Sequence, residues 1–132
     1  MKSRTKDSRG TLRILVVDDD EDWLFCLTSA LRVRVDVDAV TSFEAALEKL
    51  DRESYDVVLS DHQLSPGLGT VLLEEVRVRA PNARRFLMSG LDVPASFVGT
   101  PSWEQFFLKP FDPRAVVLAA RERAVRPSYR RR

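Results

Sequence analysis

Residues 12–23, LRILVVDDDEDW, join a short apolar run to five consecutive acids. Leu12 to Val17 is rich in Leu, Ile and Val, the composition of a strand covered on both faces. From about Asp22 to Val33 the period changes, and Leu24, Leu27 and Leu31 recur on one helical face. A buried strand that ends in carboxylates and passes directly into a helix is the unit to seek in the rest of the chain.

Four further units follow it. Val35 to Val40 sets Val35, Val37 and Ala39 against Asp36, Asp38 and Val40, a half-exposed second strand. Thr41 and Glu44 have capping-box spacing, and Phe43, Ala46, Leu47 and Leu50 fall at i, i+3, i+4 and i+7 of a second helix. Asp56 to Ser60 is a third strand ending at Asp61, after which Ser65, Pro66, Gly67 and Gly69 mark a loop. A helix from about Thr70 to Arg79 buries Leu72, Leu73 and Val76. Arg85 to Met88 is a fourth strand ending at Ser89-Gly90. Between Asp92 and Thr100, Pro94 and Gly99, with Pro101 beyond, leave room for only a short or distorted fourth helix. Gln105 to Leu108 is the fifth strand, and Asp112-Pro113 caps a last helix running to about Val125. Strands alternating with helices specify a parallel sheet with helices packed on it.

The chain's 132 residues suit one domain, 44% apolar and 31% charged, with neither a repeat nor a low-complexity linker. We divide it into a basic, flexible segment 1–11, a folded body 12–126 and a basic tail 127–132. The longest unbroken aliphatic run, Ala115 to Ala120, is far below the roughly 20 residues of a membrane-spanning helix. The first ten residues carry no secretion pattern, and the one cysteine, Cys26, allows no internal disulfide, so a cytoplasmic location is expected. Net charge is +1, but residues 1–13 carry +4 and 114–132 carry +6, leaving the body at −9. An acidic body suggests a cation site. The basic ends read as solubilising tails, with neither nucleic acid nor membrane expected as a partner.

In open parallel sheets, ligands sit beyond the carboxyl ends of the strands. The residues there are Asp18-Asp19, Asp61, Ser89 and Lys109. Two carboxylates about 5 Å apart repel by roughly 3 kcal/mol at an effective dielectric near 20, so three impose on the order of 10 kcal/mol. Lys109 alone does not offset that. Protons or a divalent cation must, and oxygen ligands with room for water and phosphate favour Mg2+. A carboxylate, Mg2+, a lysine and a hydroxyl are together the parts needed to accept a phosphoryl group.

The stretches RILVVDDDEDW, VVLSDHQLSPGLG, FLMSG and FFLKPF, in this order, resemble the receiver domain of bacterial two-component response regulators across roughly Leu12 to Val125. The resemblance implies a flavodoxin-like (βα)5 fold, a doubly wound parallel sheet of order 2-1-3-4-5. It also implies phosphorylation by a sensor histidine kinase or phosphotransfer protein. By position it makes Asp61 the phosphoacceptor, Asp19 a direct Mg2+ ligand, Asp18 a ligand mainly through water, and Gln63 a backbone-carbonyl ligand. Ser89 stands at the position of the hydroxyl that turns toward the phosphoryl group, Lys109 pairs with that group, and Phe106 is the aromatic switch residue. Lys109-Pro110 resembles a step that is commonly cis.

Ser65 stands where the family has proline, with Pro66 one place later, so a different loop backbone is expected. Gln63 and Leu91 occupy positions that tune loss of the phosphoryl group, and the apolar Leu91 predicts a long-lived phosphorylated state. Such a protein is a switch rather than an enzyme. Its output passes through the face of the fourth helix, fifth strand and last helix to a downstream protein, and a phosphorylation-dependent dimer is one form that output can take.

Other readings are weaker. A calcium loop starting at Asp18 fails because Trp23 and Ser29 replace its glycine and glutamate. A hydrolase forming an aspartyl-phosphate on the first strand lacks room for a cap. A receiver-like interaction module that is never phosphorylated, and a nucleic-acid binder acting through the arginine tail, remain as alternatives. His62 reads as an exposed loop residue, Cys26 as a small buried hydrophobe, and Trp103 as a fluorescence probe.

Overall fold

The structure is a computed structural model describing residues 11–64, 67–91 and 102–122. Its elements are β1 (Arg13–Val17), α1 (Glu21–Leu31), β2 (Asp36–Val40), α2 (Phe43–Arg52), β3 (Val57–Asp61), α3 (Gly69–Arg79), β4 (Arg84–Ser89), β5 (Gln105–Leu108) and α4 (Pro113–Arg121). All strands pair in parallel, in the order β2-β1-β3-β4-β5. The doubly wound fold expected from the sequence is therefore present, with strand bounds within a residue or so of those read from it. The short fourth helix expected over 92–100, the basic segment 1–10 and the tail 127–132 lie outside the described residues.

The alternation of strand side chains divides the core in two. Ile14, Val16, Val57, Leu59, Phe86 and Phe107 face α1 and α4, whereas Leu15, Val17, Val58 and Leu87 face α2 and α3. Leu24, Leu27 and Leu31 bury one side of α1, as their spacing predicts. Cys26 falls on the opposite side and is exposed, which corrects its reading as a buried residue. On α2, Ala46 and Leu50 are buried, but the cap is Ser42 rather than Thr41. The Ser42 hydroxyl accepts from the Ala45 N–H at 3.1 Å, so the box expected from Thr41 and Glu44 does not form. Asp112 caps α4 through the Arg114 N–H, with Pro113 in the first turn.

Arg13, counted above among the basic N-terminal charges, is instead only 3% exposed at its side chain. Its guanidinium binds Asp36 at 3.0 Å, Asp38 at 3.1 Å and the Ser54 carbonyl at 2.7 Å, and lies over the Tyr55 ring. Because Arg13 pairs with Asp36 in the β1–β2 register, this cluster pins the end of the sheet remote from Asp18.

Strand order reverses at β1: β2 lies on one side and β3 on the other. That places Asp18, just after β1, beside Asp61, the last residue of β3, at the switch point where ligands gather in such sheets. Gly69 opens α3 against the back of this site, donating its N–H to the His62 carbonyl at 2.8 Å. A Cβ at Gly69 would overlap the Asp61 carbonyl, so no side chain fits there. Gly69→Ala is expected to cost about 3 kcal/mol, measured as a lower urea midpoint at unchanged slope.

Candidate acidic site at the sheet switch point

The five acids after β1 divide their tasks. Asp20 caps α1, its carboxylate accepting from the N–H groups of Asp22 and Trp23 at 3.1 and 3.2 Å. Glu21 and Asp22 lie in the first turn, where negative charge complements the helix dipole. Asp18 and Asp19 remain for the site. Asp18 is buried and Asp19 exposed, and with Asp61 they offer carboxylate oxygens all within 4.8 Å of one another.

Lys109, just beyond β5, joins two of them. Its Nζ lies 2.7 Å from Asp18 Oδ2 and 2.8 Å from Asp61 Oδ1. The Lys109-Pro110 peptide is cis. Burial raises the Asp18 carboxyl above its ordinary range, and the nearby Asp61 charge adds to this, against the pull of Lys109 and the Asp20 N–H. Burial acts to lower the Lys109 ammonium, but the hydrogen bonds to Asp18 and Asp61 prevail and raise it. Lys109 is thus held as a cation, while Asp18 is reluctant to carry its charge. Three carboxylates within reach of one another, two of them paired to one ammonium, have both the hard chemistry and the surplus negative charge that suit Mg2+.

The remaining expected residues lie around this centre. The Gln63 N–H donates to Asp61 Oδ2 at 3.0 Å, which orients the carboxylate. Ser89 is buried at the end of β4, in register beside Leu108, and its Oγ accepts from the Leu91 N–H at 3.0 Å. The Leu91 side chain is exposed. Phe106 is half-buried against the core on the α2 and α3 side, while Phe107 enters the opposite core. His62 is buried, which corrects its reading as an exposed loop residue: its N–H donates to the Met88 carbonyl, drawing the residue in along β4.

Trp23 was missed as a site residue by the sequence reading. Its ring centroid lies 5.4 Å from Lys109 Nζ, whereas Trp103 packs against the core on the α2 and α3 side. The only sequence signal was a large aromatic in the first turn of the helix that follows the acids.

Similarities to known proteins bear on this geometry. The family description "response regulator receiver domain" matches residues 14–121. A putative transcriptional regulator of Haloferax volcanii is 31% identical over 121 residues, and the chain spans only 20% of that relative's length while 88% of the chain is covered. The CheY-like receiver domain protein of Methanospirillum hungatei JF-1 superposes with a TM-score of 0.75 at 25% identity, over 83% of this chain and 90% of that one. The response regulator TrrA of Thermotoga maritima, whose crystal structure is a complex with Mg(2+)-BeF, matches in fold with a TM-score of 0.75 at 24% identity, over 83% and 99%. Among the described residues, no helix is long and apolar enough to cross a membrane.

If the acidic centre is a cation site, Mg2+ must stabilise the fold. At a hundred times its dissociation constant, Mg2+ is expected to add about 2.7 kcal/mol. A thermal melt checks this: wild type shifts upward with Mg2+, and Asp19→Asn shifts much less at the same concentration.

Proposed function

We propose that this chain, which belongs to the response regulator receiver domain family, is a phosphorylation-controlled switch that accepts a phosphoryl group on Asp61. The observation that carries the reading is the convergence of Asp18, Asp19 and Asp61 within 4.8 Å, with Lys109 bridging two of them. The donor is a phosphohistidine of a sensor kinase or phosphotransfer protein in the cytoplasm. An Asp61 carboxylate oxygen attacks phosphorus, and the O–P bond forms as the P–N bond to the donor histidine breaks. The electron pair leaves on the imidazole nitrogen, which takes a proton from water.

Asp18, Asp19, Asp61 and the Gln63 carbonyl are the groups that would hold Mg2+. When bound, the ion supplies charge neutralisation for the phosphoryl oxygens. Lys109 is already ion-paired to Asp61 and transfers its pairing to a phosphoryl oxygen. The Ser89 hydroxyl turns from its contact with the Leu91 N–H to donate to another oxygen. The phosphoryl group brings a charge of about −1.5 to −2 to a buried site. Movement of Ser89 at the end of β4 frees space for Phe106 on β5, carrying the change to the face of the fourth and fifth units. There a downstream protein or a second copy of the chain receives the signal. The protein's own chemistry is confined to gaining and slowly losing this group.

Acetyl phosphate with Mg2+ supplies the test. Intact-mass measurement is expected to show one added phosphoryl group on wild type and none on Asp61→Asn or on wild type with excess chelator. Equal labelling of Asp61→Asn would place the acceptor elsewhere, and an unlabelled wild type would favour a module that works without phosphorylation. Because Leu91 offers water no polar group, the label should persist for minutes or longer at neutral pH. Decay within seconds would contradict that reading.

A further inference from the structure

Trp23 touches two of the segments that build the acidic site. Its ring face meets Lys109 Nζ at 5.4 Å. Its indole Nε1–H donates to Met88 Sδ at 3.5 Å, next to Ser89, and its ring meets Phe111 nearly edge-to-face at 5.2 Å and 75°. Phe111 in turn packs on Phe107 at 5.3 Å. The indole is therefore fixed by β4 and by the segment after β5, while its own backbone belongs to α1.

A lysine is a compact charge on a flexible stem of four carbons and needs a physical stop to stay at one place. Lys109 Nζ has three N–H groups, and the Asp18 and Asp61 carboxylates lie on two sides of it. The aromatic ring is a third neighbour of the ammonium, and its π face attracts a cation without neutralising it. A third carboxylate there would hold the ammonium too firmly to move, and an aliphatic wall would hold it too weakly. We propose that Trp23 is a positioning residue for Lys109, an aromatic stop that keeps the ammonium aimed at Asp61 while leaving it free to pass to an arriving phosphoryl group. This rests on the phosphoacceptor reading above and adds to it a residue outside the acid, hydroxyl and lysine set.

The test uses the full chain and beryllofluoride with Mg2+ as the phosphoryl mimic, with affinities from calorimetry. Trp23→Leu is expected to weaken beryllofluoride binding roughly fivefold, as loss of a partly dehydrated cation–π contact would. Trp23→Phe, which keeps a π face, should restore most of it. Mg2+ affinity measured alone should stay at the wild-type value in both, because the carboxylates hold that ion. Equal effects of Leu and Phe, no effect of either, or a parallel fall in Mg2+ affinity would overturn the positioning role and assign Trp23 to packing alone.

A second measurement leaves residue 23 intact. With Trp103→Phe, Trp23 is the remaining tryptophan of the two in the chain. Its emission should change when Lys109, still against the ring, turns its hydrogen bond to beryllofluoride, and the change should be lost in Lys109→Gln. A flat signal in a protein that calorimetry shows to be bound overturns the inference while leaving the phosphoacceptor reading in place. Failure of wild type to bind beryllofluoride at all removes both.

Discussion

The ammonium of Lys109 lies between two carboxylates that arrive from different strands, and the arrangement of the site depends on that contact. Asp18 follows β1 and Asp61 ends β3, and only the reversal of strand order at β1 makes them neighbours. Without a cation between them their charges would drive the strand ends apart. With one ammonium for three acids the site holds together but keeps a surplus of negative charge. It is stable enough to be built by the fold and is suited to a second cation.

The opposite end of the same strand shows a different balance. Arg13 also faces several acids, with Asp36, Asp38 and Glu53 all within ion-pairing distance. There the arginine is the buried partner and the acids are partly open to water, so solvent screens the surplus charge. Lys49 and the Tyr55 hydroxyl also meet Asp38, at 3.9 and 2.6 Å. At the switch point the two acids paired with Lys109 are the more buried members: the Asp18 side chain is 1% exposed and that of Asp61 9%, while Asp19 stays open to water. Which partner the fold removes from water separates a structural clasp from a cation site. Removing Arg13 would leave acids that water can solvate in part, whereas removing Lys109 would leave Asp18 charged with almost no access to solvent.

Much of this was legible in the sequence because two signals were strong. Apolar runs of strand length alternated with helical spacing, and a polar residue of chemical interest ended β1, β3, β4 and β5 in turn. The sheet order followed from resemblance to a family rather than from periodicity, which does not specify neighbours. What the sequence hid was mostly direction. Arg13 sits inside a strand whose neighbours are all apolar, and nothing local shows that three acids from β2 and the α2–β3 connection will meet it. Cys26 and His62 were misread for the same reason: a helix face and a loop's inward turn are set by tertiary packing. Ser42 displaced Thr41 as the cap because one residue's shift in the helix start lies below what spacing alone resolves. Trp23 looked like an ordinary amphipathic-helix residue, and its place beside Lys109 depends on a loop more than eighty residues later in the chain.

A crystal structure of the protein with Mg2+ and beryllofluoride tests the central claim most directly. The account predicts beryllium bonded to an Asp61 carboxylate oxygen, Mg2+ within the Asp18, Asp19 and Asp61 cluster, and Lys109 Nζ and Ser89 Oγ both in contact with fluorine. Beryllofluoride bound elsewhere, or Asp18 and Asp61 turned away from a shared cation, would contradict it.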